Sequence, residues 1–134
     1  MDNIITTEDI YNNLNIDLAS RLKVSGQANA TTVTSRYIAE RQTEIVQYIA
    51  LHCYDGINQA MAYFSDDFFI ESLKEAVLQQ VKYVLDNGDM NYGGILMQNA
   101  GIQKLSMDER IIGGISPKAH LILLNVGLLY LGRI

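Results

Sequence analysis

The residues best suited to chemistry in this sequence are two histidines, His52 and His120, and a single cysteine, Cys53. Adjacent residues of a helix point about 100° apart, so His52 and Cys53 have poor geometry for a nucleophile–base pair. His120 is distant along the chain, and the spacing of the three residues matches no metal-ligand motif. We therefore predict that both histidines are structural. One cysteine also excludes an internal disulfide and a zinc site built on cysteines.

Acidic residues gather at two places that could hold a proton or a cation. The first is the start of a predicted helix, with Asp66, Asp67, Glu71 and Glu75. Paired carboxylates can perform acid–base chemistry, but acids at a helix N-terminus also match its dipole, and we predict the second role. The second is DNGDMN at residues 86–91, where glycine is third rather than sixth as in a calcium loop, which favours a helix end and a turn.

Other catalytic signatures are missing from the sequence. It has no phosphate-binding loop, dinucleotide fingerprint or nucleophile elbow. We therefore expect a protein that is not an enzyme and that needs neither a metal nor another cofactor.

Length and composition indicate one folded domain spanning residues 1–134. Hydrophobic residues make up 49% and charged residues 19% of the chain. A chain this small leaves much of its surface uncovered, so the high apolar content suggests burial against other chains. The net charge of −5 and the scattered basic residues argue against wrapping nucleic acid. The longest apolar run, Leu121 to Leu131, is too short to span a membrane, and the acidic N-terminus is not a signal peptide.

Helix signals divide the first half of the chain. Thr6 or Thr7 is predicted to cap a short first helix. Residues Ser25 to Ser35, SGQANATTVTS, are small and polar and predict a loop, which we expect to be a flexible linker over about 25–34. Thr34 or Ser35 would then cap a long helix that ends near Gly56. One face of that helix would carry Ile38, Ile45, Ile49 and Cys53.

Two further helices are predicted in the second half. Ser65 or Asp66 caps a helix that stops at Asn87-Gly88, with an apolar stripe formed by Ile70, Leu73, Val77, Val81 and Val84. Ser116 followed by Pro117 starts the final helix, which is apolar nearly all round from Leu121 onwards. We therefore expect a mainly α protein, a small bundle of about four helices. The last helix should be enclosed on several sides.

The segment between these two helices is unusual. Residues Asn91 to Leu105, NYGGILMQNAGIQKL, combine three glycines with the apolar triplet Ile95-Leu96-Met97 and almost no charge. A loop of a monomer would leave these side chains in water. We predict a loop or β-hairpin that protrudes over about 89–115 and becomes ordered against a partner.

The second half resembles the head–tail connector (adaptor) proteins of tailed bacteriophages. The resemblance covers Leu73 to Ile134 and depends on the order and spacing of two motifs. The first helix of the pair carries Leu73, Lys74, Ala76, Gln79 or Gln80, Tyr83, Asn87 and Gly88; after a glycine-bearing segment, the last helix begins with Ser116, Pro117 and Ala119.

The resemblance implies a structural virion protein at the neck of the particle, assembled in the host cytoplasm. Such subunits form a ring, usually of twelve copies, that binds the portal protein and receives a stopper or tail-completion protein, while DNA passes through the lumen. We expect the contacts with the portal or a neighbouring subunit to come from Ile95, Leu96, Met97, Ile102, Leu105, Leu128, Leu129, Tyr130, Arg133 and Ile134. The alternatives are a stopper-type protein and a small helical regulator or antitoxin-like dimer that binds another protein.

Overall fold

A computed structural model of the chain describes residues 1–24, 26–87 and 114–129. The described residues form six helices and no β-strand. The helices are α1 (Thr7–Leu14), α2 (Leu18–Arg21), α3 (Gln27–Ala50), α4 (Gly56–Tyr63), α5 (Ile70–Asn87) and α6 (Pro117–Asn125). The prediction of a mainly α protein is confirmed. The short helices α2 and α4 were not predicted.

The first helix begins where the sequence indicates. The Thr6 hydroxyl accepts a hydrogen bond from the Asp9 backbone N–H at 3.1 Å, and the Asp9 carboxylate accepts one from the Thr6 N–H at 2.9 Å. This capping box satisfies two N–H groups that lie outside the ladder of the helix. The helix ends at Leu14 because Asn15 adopts the left-handed conformation, with φ 57° and ψ 41°, which asparagine tolerates better than most residues.

Removing this cap gives a first testable prediction. Thr6→Ala should lower the free energy of unfolding by about 1 kcal/mol, because the Asp9 N–H loses its partner. Urea unfolding followed by circular dichroism measures the change. Thr7→Ala is the control, since Thr7 is exposed and is the first residue of α1. Equal stability of the two variants would show that the cap does not stabilise the fold.

The linker predicted over about 25–34 is wrong for residues 27–34, because α3 begins at Gln27. Threonine and asparagine are weak helix formers, but intrinsic propensity is only a weak preference and does not prevent a helix here. Thr34 is buried and its hydroxyl donates to the Ala30 carbonyl at 2.6 Å, so the hydroxyl is satisfied inside the helix. Gly26 precedes the helix with φ +91°. The long helix therefore starts about two turns before the predicted position.

Helices α3 and α5 pack against each other and carry most of the core. Ile38, Ile45 and Ile49 of α3 are all buried, as predicted, whereas Cys53 lies half-buried in the turn beyond the helix. The stripe on α5 is also buried at Leu73, Val77, Val81 and Val84, with Ile70 half-buried. Helix α4 covers α3, and α6 covers α5. Helix α3 ends at Ala50, and Gly56, with φ +60°, begins α4.

The last helix begins as predicted and ends earlier. Ser116 is its N-cap, and its side chain accepts from the backbone N–H groups of Lys118 and Ala119, with Pro117 first in the helix. The helix stops at Asn125 because Gly127, with φ +84°, turns the chain and allows the Leu128 N–H to donate to the Leu123 carbonyl at 3.0 Å.

The expectation that this helix is enclosed on several sides is wrong at one position. Leu121 is 54% exposed, whereas Leu123, two residues later, is fully buried. The helix therefore has one core face and one exposed face that carries an apolar side chain. No helix in the described part of the chain is long and apolar enough to cross a membrane.

Candidate interaction site

The most developed polar site of the described residues lies between α5 and the backbone just before α6. Gln80 of α5 is 1% exposed and binds this backbone at two points. Its Nε2 donates to the Gly114 carbonyl at 3.2 Å, and its Oε1 accepts from the Ser116 N–H at 2.8 Å. Because Ser116 is also the N-cap of α6, one side chain binds the backbone at Gly114 and the start of α6. We call this set of contacts the Gln80 junction.

An ion pair on α3, between buried Arg41 and half-buried Glu44, supports the junction. Gln80 Nε2 also donates to Glu44 Oε1 at 2.8 Å, and the other oxygen of Glu44 lies 3.0 Å from Arg41 Nη2. The Arg41 guanidinium lies over the Tyr37 ring, 4.5 Å from its centroid. Burial lowers the pKa of Arg41, but Glu44, Tyr37 and Glu40 together raise it above the ordinary value. The charge is therefore retained, and the network joins α3, α5 and the start of α6.

The sequence reasoning missed this network. Arg41 is not among the residues predicted for the apolar face of α3, yet it is only 6% exposed. One signal could have found it: Gln80 lies three residues after Val77 and directly before Val81, both within the predicted apolar stripe. A glutamine on the buried face of a helix needs partners, because an unsatisfied buried amide is costly.

The structure also brings one histidine into contact with a tyrosine. The Tyr48 hydroxyl of α3 lies 2.6 Å from His120 Nδ1 of α6. The His52 ring also meets Tyr48 edge-on, at 5.8 Å between ring centroids. Burial raises the pKa of Tyr48 and, separately, the pKa of the Cys53 thiol. Both groups therefore keep their protons at neutral pH, and little of the ionised, nucleophilic form is present.

These raised pKa values predict a loss of stability in alkali. The folded chain holds the Tyr48 and Cys53 protons more tightly than the unfolded chain does, so it binds more protons between the ordinary and the raised pKa. The free energy of unfolding should then fall as pH rises above the ordinary pKa values of these groups, about 8.5 for cysteine and about 10 for tyrosine. Tyr48→Phe should make this fall shallower, while losing about 1 kcal/mol at pH 7 with the His120 hydrogen bond.

Urea unfolding of Tyr48→Phe across that pH range measures the effect. Tyr54→Phe is the control, because Tyr54 is fully exposed. If the two variants follow the same pH profile, burial of Tyr48 does not control the alkaline stability.

The acidic residues around the start of α5 are exposed and do not form a buried carboxylate pair. Asp66, Asp67 and Glu71 are all exposed, and Asp66 accepts from the Phe68 backbone N–H at 2.9 Å. Glu71 lies 3.7 Å from Lys74, the ion pair expected at this spacing. Among the described residues, no group of three or more histidine, cysteine or carboxylate side chains is placed to hold a metal.

The predicted contact residues fall into two groups. Leu128 and Leu129 are each 4% exposed and belong to the core of the chain itself. Gly127 turns them back towards the fold, so the prediction that they present a surface to a partner is not supported. The remaining residues, Ile95, Leu96, Met97, Ile102, Leu105, Tyr130, Arg133 and Ile134, lie outside the described residues, as do the predicted hairpin and Gly88.

Several large apolar side chains outside the predicted contact set are exposed. Leu51 and Tyr54 lie in the turn between α3 and α4, with 71% and 103% of their surface exposed. Phe68, in the turn before α5, is 78% exposed, and Leu121 is the exposed leucine of α6. Apolar side chains exposed singly in this way are common on protein surfaces.

We compared the chain with protein-family models, with curated proteins and with solved structures, and none of the three comparisons found a match. The function is therefore argued from the residues and contacts of this chain.

Proposed function

We propose that this chain is a head–tail connector (adaptor) subunit of a tailed bacteriophage. In this proposal it is a structural protein of the virion neck, assembled in the host cytoplasm, and not an enzyme. Copies of the chain form a closed ring, usually of twelve, on the portal protein. The ring receives a stopper or tail-completion protein and lets DNA pass through its lumen.

The observation that carries the proposal is the order and spacing of the two motifs in the second half. Their residues have distinct structural roles in the fold. Leu73 and Ala76 are fully buried on α5, and Ala119 is fully buried on α6. Ser116 caps α6 and Pro117 is its first residue. The two motifs thus lie on α5 and at the start of α6, with residues 88–113 between them. This arrangement suits a subunit that uses residues 88–113 for assembly.

The Gln80 junction supports the same interpretation. Helix α5 ends at Asn87, and the chain is described again from Gly114, where Gln80 fastens it. The intervening residues begin and end on a rigid part of the fold, which lowers the entropy lost when a binding segment orders against a partner. We further propose that these residues include the predicted protruding loop or hairpin, which then ends before Gly114 rather than at about 115 because Gly114 is bound by Gln80 and Ile115 is buried. We also propose that the helices form a bundle of about four principal helices.

The charge of the chain supports the passage of DNA. At a net charge of −5, the subunit would repel a phosphate backbone rather than bind it. Twelve such copies around a lumen would keep DNA from adhering as it moves.

Two alternative functions make different predictions. Stopper-type proteins tend to be β-rich, and the helical content of the described residues disfavours them. A small helical regulator would form a stable dimer without affinity for portal. Native mass spectrometry separates this alternative from a connector, because a connector forms higher oligomers with portal.

The proposed role of Asn91 to Leu105 can be tested by replacement. A variant in which these 15 residues become a glycine–serine segment of equal length keeps the Gln80 junction. It should retain its helical circular dichroism spectrum and lose ring formation on portal. As a control, Glu8→Gln changes an exposed residue of α1 and should leave ring formation unchanged. Normal joining of heads to tails by the replacement variant would contradict the proposed role of the segment.

A further inference from the structure

The turn between α4 and α5 holds an exposed aromatic ring in a fixed position. The Phe68 backbone N–H donates to Asp66, and its ring meets Phe69 edge-on at 4.9 Å between centroids. Phe69 in turn contacts the Tyr63 ring at 5.0 Å and packs against the core. An exposed side chain held in this way loses little freedom on binding. Aromatic side chains that become buried when an interface forms supply much of the binding energy in many complexes.

Negative charge surrounds this ring. Asp66, Asp67 and Glu71 are exposed, and within the described part of the chain only Glu71 has a cation within 4.0 Å, Lys74. We call Asp66, Asp67, Phe68 and Glu71 the acidic aromatic corner. A surface that binds it should combine an apolar recess with positive charge.

Such a surface lies near the other end of α5. A groove of about 330 Å³ between α5 and α6 is lined by Gln79, Lys82, Tyr83, Asp86, Ser116, Pro117 and Lys118. Lys82 pairs with Asp86 at 2.8 Å, whereas Lys118 is exposed and has no ion pair among the described residues. With two lysines and one carboxylate, the groove is positively charged. Tyr83 and Pro117 give it apolar walls.

The two surfaces are separated along α5. At about 1.5 Å per residue, Ile70 and Lys82 lie roughly 18 Å apart along the helix axis. We infer that the acidic aromatic corner of one copy docks into the α5–α6 groove of the next copy, with Phe68 against Tyr83 and Pro117 and Asp67 near Lys118. This contact is head-to-tail, so repeating it yields a ring or a filament rather than a closed pair. The inference rests on the proposed function and specifies which surfaces join the subunits.

Cysteine cross-linking tests the contact in the full chain. In a Cys53→Ser background, Asp67→Cys combined with Lys118→Cys places one thiol on each surface. Under mild oxidation at a concentration where the chain self-associates, or on portal, we expect a ladder of disulfide-linked dimers, trimers and larger species on a non-reducing gel. The control combines Asp67→Cys with Arg36→Cys, because Arg36 is an exposed cation of α3 outside the groove. It should give no ladder.

Two results would overturn the inference. If rings form on portal and the Asp67–Lys118 pair does not cross-link, the subunits join through other surfaces, and the proposed function survives. If cross-linking stops at dimers, the contact is reciprocal rather than head-to-tail, and the inference is wrong.

Charge reversal provides an independent measurement. Asp67→Lys and Lys118→Glu should each weaken self-association about tenfold, because each places like charges opposite one another. The double variant carries both reversals in every copy and should recover most of the affinity. Phe68→Ala should weaken association at least about tenfold. Sedimentation equilibrium measures all four variants, and failure of the double variant to recover would show that the two residues do not meet.

Discussion

Gln80→Ala should lower the free energy of unfolding by about 3 kcal/mol. The substitution removes the partner of Ser116 N–H, which is buried, and leaves a cavity beside α3. Orphaning a buried N–H costs about 1–3 kcal/mol, and the lost side-chain volume adds to that cost. The same change should release the backbone at Gly114, so the start of α6 should exchange its amide hydrogens faster. Urea unfolding and hydrogen exchange measure the two effects.

The neighbouring glutamine supplies a matched control for this experiment. Gln79 is half-buried, and its Nε2 donates to the exposed Glu75 carboxylate at 3.1 Å. Gln79→Ala should therefore change the free energy of unfolding by no more than about 0.5 kcal/mol. If both alanine variants lose the same stability, the Gln80 junction does not hold the second half of the fold together.

Gln80→Glu separates the hydrogen bonds from packing, because glutamate has nearly the same shape. The new carboxylate would face Glu44 Oε1, which lies 2.8 Å from Gln80 Nε2 in the native chain. Repulsion raises the folded pKa of the new carboxyl above its unfolded value of about 4.3. The variant should therefore be most stable, relative to the native chain, below that pH and lose stability as pH rises through the raised pKa. A variant whose stability relative to the native chain does not change with pH would argue against this geometry.

Leu123→Ala should lower the free energy of unfolding by about 3 kcal/mol, within the range of about 2–5 kcal/mol for leucines in a core. Leu123 is fully buried among residues of the core, so truncation leaves a cavity between α6 and α5. Leu121→Ala in the same helix should cost less than about 0.5 kcal/mol, because Leu121 is 54% exposed. Thermal unfolding of the two variants checks the difference.

This pair also tests which face of α6 belongs to the fold. A large loss of stability in Leu121→Ala, with little change in Leu123→Ala, would show that Leu121 and not Leu123 lies on the core face of α6. If the exposed face of α6 takes part in assembly, Leu121→Ala should weaken binding to portal while leaving the monomer stable.

Local signals in the sequence predicted several helix boundaries correctly. The Thr6 cap and the Ser116-Pro117 start depend on hydrogen bonds between residues close in sequence, so the pattern is sufficient to identify them. The apolar stripe of α5 was also predictable, since its period follows from helix geometry. These features need no knowledge of the rest of the fold.

Other features could not be predicted from local patterns. The first two turns of α3 have a composition typical of a loop, yet they are helical, and the Thr34 hydroxyl donates to the Ala30 carbonyl within the helix. The end of α6 at Asn125 depends on the backbone at Gly127, which a run of leucines obscured. The Gln80 junction joins residues 36 and 34 positions apart, and helical periodicity cannot predict which polar side chains meet. The high content of apolar residues was evident from the sequence, but which of these residues are exposed was not.

The central claim is that copies of this chain close into a ring on a portal protein. Electron cryomicroscopy of the purified chain mixed with the portal protein encoded in the same genome tests it most directly. We predict a ring of about twelve copies seated on the portal, with an open lumen and with residues 91–105 in contact with a neighbouring copy or with the portal. A chain that stays a free monomer or a stable dimer, and leaves the portal bare, would contradict the account.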